Sequence, residues 1–300
     1  FDVGGTKVAG AIADLRGEIL AELTEPTAQD SASALDSQLD SMASAMCDAA
    51  GVPRFRLRQA AIGVPAAVHP ETATLSLAGN LPGLEGDNMR AKLVEALGMD
   101  VLIDNDVNLA LLAEHSQGAA CGKNNVAFIA LGTGIGGALM INGHLLRGAH
   151  GGAGELGYMP LWQMEAPGIA PLEDRVGEAG IRRAYTAAGG SADCSVRDIF
   201  VAAETGESIA IETLDNVAAQ VARALLMVLS LVDPDSVVFG GSVGSRPELI
   251  ARVEKHIAAA WMRPIQIARS SSGGRAGLIG ALALARQTML DNMFGAMPST

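Results

Sequence analysis

The stretch DVGGTKVAGAIADLRG, residues 2–17, places two glycines between a carboxylate and a lysine and then alternates small and apolar residues. The alternation over residues 7–14 predicts a β-strand, and the polar turn at Gly17 predicts the second strand of a hairpin. A similar pattern, NVAFIALGTGIGGALMING, returns at residues 125–143 with glycines at its centre. Two glycine-rich hairpins, one in each half of the chain, predict an internal duplication of architecture.

Amphipathic helices and short buried strands fill the rest of the chain, which indicates an α/β protein. At about 100–200 residues per domain, a chain of 300 residues predicts two domains. We expect residues 1–107 to form an N-terminal α/β domain, completed by the C-terminal helix, and residues 108–300 to form a C-terminal α/β domain. Helical spacing of apolar residues predicts helices over residues 31–50, 86–98, 209–232 and 277–295.

Charge and composition exclude several classes of function. Thirty-three acidic against twenty-one basic residues give a formal net charge of −12 without a basic cluster, so we expect no nucleic-acid contact through these residues. No apolar run reaches the roughly 18 residues of a membrane span, and we expect no membrane contact. Three cysteines far apart, without a CxxC pair, are typical of a reducing cytoplasm. The chain starts at Phe1 within a strand pattern, and we expect further residues upstream.

Three glycine-rich turns favour ATP as a ligand. In DVGGTK, backbone N–H groups, a hydroxyl and an amine suit a phosphate, and Asp2 suits a hydrated Mg²⁺. GTGIGG at residues 132–137 offers the same groups for a second phosphate. A dinucleotide-binding motif of this type opens a helix, whereas a strand pattern follows here, so we do not expect dinucleotide binding. FGGSV at residues 239–243 ends a buried strand and suits contact with adenine, although an ordinary turn is the alternative for each motif. The predicted ATP- and phosphate-binding residues are Asp2, Gly4, Gly5, Thr6, Lys7, Gly132, Thr133, Gly134, Gly240 and Gly241.

The order of the motifs carries a family resemblance. DVGGTK, DNDVN, LGTGIGG, GGAGELGYMPL, PLED and VVFGGSV resemble the motifs of the ROK family, which contains bacterial sugar kinases and related sugar-responsive repressors. The resemblance covers essentially the whole chain. It implies the actin-like ATPase fold, which is ribonuclease H-like, with two α/β domains built on mixed sheets. It also implies that ATP and a sugar bind in the cleft between the domains and that the protein is a homodimer.

The resemblance assigns the family's catalytic base to Asp106, in the sequence DND where a buried strand pattern meets a helix pattern. A carboxylate suits the removal of a proton from an attacking hydroxyl during phosphoryl transfer. The alternative for DND is a helix N-cap, and the two roles are compatible. The residues that the resemblance assigns to the sugar are Asn80, Asn105, Asp106, Glu155, Tyr158 and Glu173. For Asn80 and Glu173 an exposed polar loop is the alternative.

One segment departs from the family pattern. Family kinases usually have histidine where this chain has Tyr158, and residues 159–171, MPLWQMEAPGIAP, contain none of the cysteines of the family's zinc cluster. Tetrahedral zinc needs about four nitrogen or sulfur ligands, so we expect no structural zinc. We expect that Met159, Trp162 and Met164 anchor this loop by apolar packing instead.

The motifs favour a cytoplasmic enzyme that uses ATP to phosphorylate a hexose or N-acylhexosamine at its primary hydroxyl. An intact DVGGTK motif and Asp106 are needed for phosphoryl transfer, and a protein without that activity has no chemical need for them. The alternative is the sugar-sensing domain of a ROK-type repressor whose helix-turn-helix precedes Phe1. A sugar-binding protein with neither activity is a third possibility.

Overall fold

The structure is a computed structural model that describes residues 1–28, 32–77, 89–160 and 172–295. The strands are β1 Asp2–Val3, β2 Lys7–Ala13, β3 Ile19–Pro26, β4 Gln59–Val64, β5 Ala67–Val68, β6 Leu75–Ser76, β7 Asp100–Asn105, β8 Val126–Leu131, β9 Ile135–Ile141, β10 His144–Leu145, β11 Ser236–Gly240 and β12 Gln266–Arg269. The helices are α1 Ala32–Ala50, α2 Met89–Leu97, α3 Asp106–Gln117, α4 Glu173–Val176, α5 Glu178–Ala187, α6 Val196–Glu204, α7 Ser208–Val232, α8 Pro247–Ala258 and α9 Ala276–Phe294.

Contacts within the chain define two compact units. Unit 1 consists of Phe1–Cys121, Leu145–Ala153 and Gly274–Thr300, and unit 2 consists of Gly122–His144 and Gly154–Gly273. The expected boundary between residues 107 and 108 falls inside α3, whereas unit 1 continues to Cys121. The reason is that α3 packs along α9, which returns to unit 1 from the far end of the chain.

Unit 1 is built on a five-stranded mixed sheet in the order β3-β2-β1-β4-β7. β1 is antiparallel to β2 and parallel to β4, and β4 is parallel to β7. Side chains alternate between the two faces of a strand. Accordingly, Ile62 of β4 joins the core formed with α1 and α2, while the neighbouring Ala61 packs with Leu109 of α3 and Ala281 of α9. Helices therefore cover both faces of the sheet.

A cavity of about 630 Å³ lies beside Phe1 in unit 1. Residues from β2, β4 and α9 line it, among them Ala11, Gln59 and Ala285. None of the predicted site residues within the described part of the chain lines this cavity. It is therefore separate from the candidate site.

Unit 2 repeats the arrangement with a sheet in the order β10-β9-β8-β11-β12. β8 is antiparallel to β9 and parallel to β11, and β11 is parallel to β12. The strands of unit 2 thus follow the same order and directions as β2, β1, β4 and β7 of unit 1. The structure confirms the predicted duplication of architecture.

Helix α7 is long and apolar enough to cross a membrane, judged by length and composition alone. Leu214, Val221 and Leu225 on this helix are buried in the core of unit 2, where α7 also packs against α6 and α8. A core helix of an α/β protein has the same length and apolarity, and that is the role α7 has here.

Candidate active-site segments

The DVGGTK turn connects β1 to β2 and is closed by hydrogen bonds on both sides. The Gly4 N–H donates to the Lys7 carbonyl oxygen at 2.9 Å. Thr27, just after β3, donates its hydroxyl to the Gly4 oxygen at 2.7 Å and its N–H to the Thr6 oxygen at 3.1 Å. Thr6 and Lys7 are exposed. The sheet therefore holds a hydroxyl and an amine at the surface of unit 1 on a fixed turn.

Asp2 lies in β1 with its carboxylate against the first turn of α9. A Cβ added to Gly277 would lie 2.6 Å from Asp2 Cγ and 2.7 Å from each carboxylate oxygen. The positive end of a helix dipole stabilises a nearby carboxylate. Burial acts in the opposite direction and raises the pKa of Asp2. A carboxylate oxygen in this place fits a hard cation such as Mg²⁺, directly or through water.

The junction of β7 and α3 confirms the N-cap that DND predicted. Asn105 Oδ1 accepts from the N–H groups of Val107 at 2.8 Å and Asn108 at 3.2 Å, and its Nδ2 donates to the Ala66 oxygen at 3.1 Å. Asp106 is the first helical residue, and its Oδ1 accepts from Val107 N–H at 2.9 Å. The predicted base is thus placed at a helix N-terminus by the residue beside it.

Asp104 and Arg147 form an ion pair that the sequence did not reveal. Arg147 Nε and Nη2 donate to Asp104 Oδ2 at 2.8 and 2.7 Å. The side chain of Asp104 is only 3% exposed, and its Oδ1 accepts from Asn105 N–H at 2.9 Å and from Asn108 Nδ2 at 2.8 Å. The two partners are 43 residues apart. In the sequence, Arg147 is recognisable as a charged residue directly before the glycine-rich segment that begins at Gly148, but nothing there identifies Asp104 as its partner.

In unit 2 the GTGIGG turn and the FGGSV turn lie side by side. The carbonyl oxygen of Leu131, the residue before GTGIGG, accepts from the N–H groups of Val243 and Gly244, both at 2.9 Å. A Cβ added to Gly132 would lie 3.0 Å from Ser242 Oγ. Gly241 has a φ of 82° and packs against the Leu131 backbone. The structure therefore brings together the two segments of unit 2 that the sequence assigned to ATP.

Two polar residues beside these turns were missed at the sequence level. Glu178, the first residue of α5, donates its N–H to the Gly132 oxygen at 3.0 Å. Its Oε1 accepts from Ser242 Oγ at 3.0 Å. Glu178 follows PLED by only four residues, and Ser242 lies inside FGGSV, but a single sequence does not show that they meet.

Glu155 and Glu173 lie near each other in unit 2. Glu173 begins α4, and its Oε2 accepts from Ile135 N–H at 3.2 Å, while its carboxylate occupies the space beside Gly134. Glu173 is exposed yet hydrogen-bonded to the hairpin, so it is more than an exposed loop residue. Burial and, second, the charge of Glu173 raise the pKa of Glu155. Paired carboxylates of this kind suit the hydroxyls of a sugar.

Tyr158 ends a short 3₁₀ turn, Leu156–Tyr158, that follows Glu155 directly. It is 41% exposed, and its N–H donates to the Glu155 oxygen at 3.2 Å. Met159 packs against the apolar core of unit 2, as the prediction of an apolar anchor requires for this residue. Asn80, Trp162 and Met164 lie outside the described residues, as do residues 161–171 of the segment expected to lack zinc. The assignments of those residues stay predictions.

Two mixed sheets of one strand order, each with a glycine-rich turn after the same strand, define the actin-like ATPase fold. A ROK family glucokinase from Streptomyces griseus, solved in complex with glucose and AMPPNP, is similar to the chain with a TM-score of 0.79 and 26% sequence identity, covering 95% of this chain and 98% of that one. The model of the ROK family matches residues 1–288. The chain belongs to the ROK family.

Named relatives of the chain are sugar kinases. It is 29% identical over 286 residues to a β-glucoside kinase of Listeria monocytogenes, covering 94% of this chain and 95% of the relative. It is 30% identical over 299 residues to an N-acetyl-D-glucosamine kinase of Escherichia coli, covering 94% of this chain and 96% of the relative. Both relatives match over almost their full length, so the similarity extends through all the segments described above.

Proposed function

We propose that this protein is an ATP-dependent sugar kinase that phosphorylates a hexose or N-acylhexosamine at its primary hydroxyl. The observation that carries the proposal is the placement of Asp106 at the start of α3, on a junction capped by Asn105, in a chain whose named relatives are sugar kinases. A general base must be held in one orientation to accept a proton efficiently. The capped junction provides that support.

In the proposed reaction Asp106 accepts the proton of the sugar's primary hydroxyl as the hydroxyl oxygen attacks the γ-phosphorus of ATP. The bond from that phosphorus to the bridging oxygen breaks, and ADP leaves. Glu155, Glu173, Tyr158 and Asn80 are proposed to bind the other sugar groups, and Asn105 a hydroxyl through its amide. A carboxylate or amide accepts and orients hydroxyls with directional hydrogen bonds, which selects one hydroxyl for attack.

The glycine-rich turns are proposed to bind the nucleotide. Backbone N–H groups of residues 4–7 and 132–134 suit the phosphates, helped by Thr6, Lys7 and Thr133, and Gly240 and Gly241 suit the face of adenine. Asp2 would hold Mg²⁺ through water, and the cation would neutralise charge on the phosphates. The exclusion of water from the site prevents hydrolysis of ATP from competing with transfer to the sugar.

The two units are proposed to be the two domains of the enzyme. The homodimer and the cytoplasmic location that the family resemblance and the cysteine usage favour belong to the same proposal. Sedimentation equilibrium of the purified chain measures the oligomeric state, and a monomer at micromolar concentration would remove the dimer from the proposal.

The test is an ADP-release assay with glucose, mannose, fructose, N-acetylglucosamine, N-acetylmannosamine and a β-glucoside as acceptors. We expect ATP-dependent turnover with at least one of them and product phosphorylated at the primary hydroxyl, as determined by NMR. Sugar binding in calorimetry without turnover on any acceptor would contradict the kinase proposal. That outcome would favour the sugar-sensing or the purely sugar-binding alternative.

A further inference from the structure

The Asp104–Arg147 ion pair joins two segments of unit 1 that carry or precede predicted substrate contacts. Asp104 is the residue before Asn105 and Asp106. Arg147 starts a loop, residues 147–153, that ends two residues before Glu155. Two N–H groups of one guanidinium reach the same carboxylate oxygen, at 2.8 and 2.7 Å. This geometry fixes the orientation of both side chains.

On the side of the junction, Asp104 controls the start of α3. Its second oxygen accepts from the Asn105 N–H and from Asn108 Nδ2, which lie on either side of Asp106. A carboxylate with donors on both oxygens has little freedom to rotate. A change in the orientation of Asp104 would therefore displace the backbone of Asn105 and the first turn of the helix.

On the side of the loop, Arg147 is fixed as well. The Ala153 N–H donates to the Arg147 carbonyl oxygen at 3.2 Å and closes the loop. Gly151 has a φ of 82°, and any side chain there would overlap the backbone of Val68 in β5. The same short segment also supports the junction, because the Ala66 oxygen accepts from Asn105 Nδ2. The loop and the β7–α3 junction thus both contact residues 66–68, and Arg147 joins them directly through Asp104.

The burial of this pair makes it unlike other ion pairs of unit 1. The side chains of Asp104 and Arg147 are 3% and 34% exposed, while those of Asp100 and Arg90, at the other end of β7, are 51% and 44% exposed. Solvent screens an exposed pair and makes its contribution small. A buried carboxylate that loses its partner keeps an uncompensated charge, so the junction would have to rearrange.

We propose that Arg147 is a positioning residue for phosphoryl transfer: through Asp104 it orients the junction that carries Asn105 and Asp106 and fixes the loop before Glu155. This role rests on the proposed function. It predicts that the loss of Arg147 lowers kcat in a folded protein and loosens the first turn of α3, and that restored stability alone does not repair either effect.

The experiment compares Arg147→Met, Arg147→Lys and the double variant Asp104→Asn/Arg147→Met with the unaltered protein. Arg147→Met is expected to lower kcat about a hundredfold, since small displacements of a reacting group have effects of that size. Its KM for ATP is expected to stay within about twofold, because the pair does not touch the nucleotide turns of unit 1. Arg147→Lys keeps the positive charge but loses the contact through two N–H groups. Its kcat is expected to lie between that of Arg147→Met and that of the unaltered protein.

The double variant separates positioning from stability. It leaves no buried charge without a partner, so its thermal stability is expected to recover towards that of the unaltered protein while kcat stays low. A matched control is the double variant Asp100→Asn/Arg90→Met, which removes an Arg–Asp pair at the other end of the same strand and is expected to keep kcat. Recovery of kcat together with stability in Asp104→Asn/Arg147→Met would overturn the proposal.

Amide hydrogen exchange gives a readout that does not depend on catalysis. The N–H groups of Val107 and Asn108 are capped by Asn105, and we expect them to exchange at least about tenfold faster in Asp104→Asn/Arg147→Met than in the control double variant. Unchanged exchange would overturn the positioning role even if no sugar acceptor is found. Faster exchange with no turnover in the unaltered protein would instead contradict the kinase proposal and leave the positioning of the junction supported.

Discussion

The two units share a scaffold but obtain their acidic groups in different ways. In unit 1 two of the carboxylates belong to the sheet, since Asp2 lies in β1 and Asp104 in β7. In unit 2 the equivalent strand β8 is followed by Gly132. The carboxylates at the two glycine-rich turns come from helices instead, because Glu173 of α4 accepts from Ile135 N–H and Glu178 of α5 accepts from Ser242 Oγ. Strand register therefore places Asp2 and Asp104 in unit 1, while helix packing places Glu173 and Glu178 in unit 2. A repeated fold thus supplies equivalent positions and leaves each unit free to use different chemistry there.

The largest effect is expected at the β7–α3 junction of unit 1. Asp106→Asn is expected to lower kcat about a thousandfold, because the amide cannot accept the proton of the attacking hydroxyl. Sugar affinity in calorimetry is expected to change little, since the amide keeps the size and the hydrogen-bonding capacity of the side chain. An Asp106→Asn enzyme with near-normal kcat would show that Asp106 is not the general base. The acidic groups of unit 1 would then have no demonstrated catalytic role that sets this unit apart from unit 2.

The next effect concerns the glycine turns. Gly241→Ala is expected to lower the free energy of unfolding by about 3 kcal/mol, because the new methyl group meets the Leu131 backbone at a φ of 82°. Gly17→Ala in the first hairpin is the matched control, with a φ of 89° but no heavy atom within 4 Å of the new Cβ. We expect it to cost only about 1–2 kcal/mol.

Denaturant titrations measure both glycine variants, and calorimetry with an ATP analogue measures nucleotide affinity. Gly241→Ala is expected to weaken nucleotide binding, and Gly17→Ala is expected to leave it unchanged. Equal losses of affinity in the two variants would mean that the FGGSV turn has no special part in binding the nucleotide.

A smaller effect is expected where α9 supports Asp2. Gly277→Ala would push against the Asp2 carboxylate, and we expect the Mg²⁺ concentration for half-maximal activity to rise about tenfold, as for other residues that orient a metal ligand. Gly274→Ala, with open space around its Cβ, is the control. Direct Mn²⁺ binding followed by electron paramagnetic resonance provides a measurement without turnover. Identical Mn²⁺ affinity in both variants would argue against a metal role for Asp2.

The smallest effect is expected at Glu155. Its pKa is raised in the folded state by burial and by Glu173, so the folded protein holds this proton more tightly than the unfolded chain does. The resulting contribution to stability is present at low pH and is lost as the pH rises through the raised pKa. Glu155→Gln removes this loss, and we expect the variant to gain less than about 1 kcal/mol over the unaltered protein at neutral pH, because the group is partly solvated.

Denaturant titrations at acidic and neutral pH test this sign. The gain from Glu155→Gln should be larger at neutral than at acidic pH. A gain that grows towards acidic pH would show that burial and Glu173 do not raise the pKa of Glu155 in the folded protein.

Local patterns in the sequence were sufficient to predict much of the fold. The hairpins, the long helix ending near Val232 and the cap at Asn105 depend on neighbouring residues and on period, and the structure confirms them. The domain boundary was harder to place, because the packing of α3 on α9 joins segments about 170 residues apart. That contact leaves no mark on the periodicity of either helix.

The polar contacts between distant segments were not predictable for the same reason. Asp104 with Arg147, and Glu178 with Ser242, meet only after the sheet has formed. Glu173 was predicted as a sugar contact by its position in PLED, but its hydrogen bond to Ile135 N–H depends on how α4 packs beside the hairpin. A single sequence specifies the residue types at a site better than it specifies their partners.

Helix α9 packs against both segments of unit 1 whose carboxylates are proposed to take part in the reaction. Gly277 in its first turn contacts Asp2, and one turn later Gly280 lies against the backbone of Leu109, three residues after Asp106. During translation this helix leaves the ribosome only after the whole of unit 2. β1, which carries Asp2, and α3, which begins with Asp106, are therefore synthesised early and lack their supporting helix, so we expect the nascent chain to acquire activity only after α9 has left the ribosome.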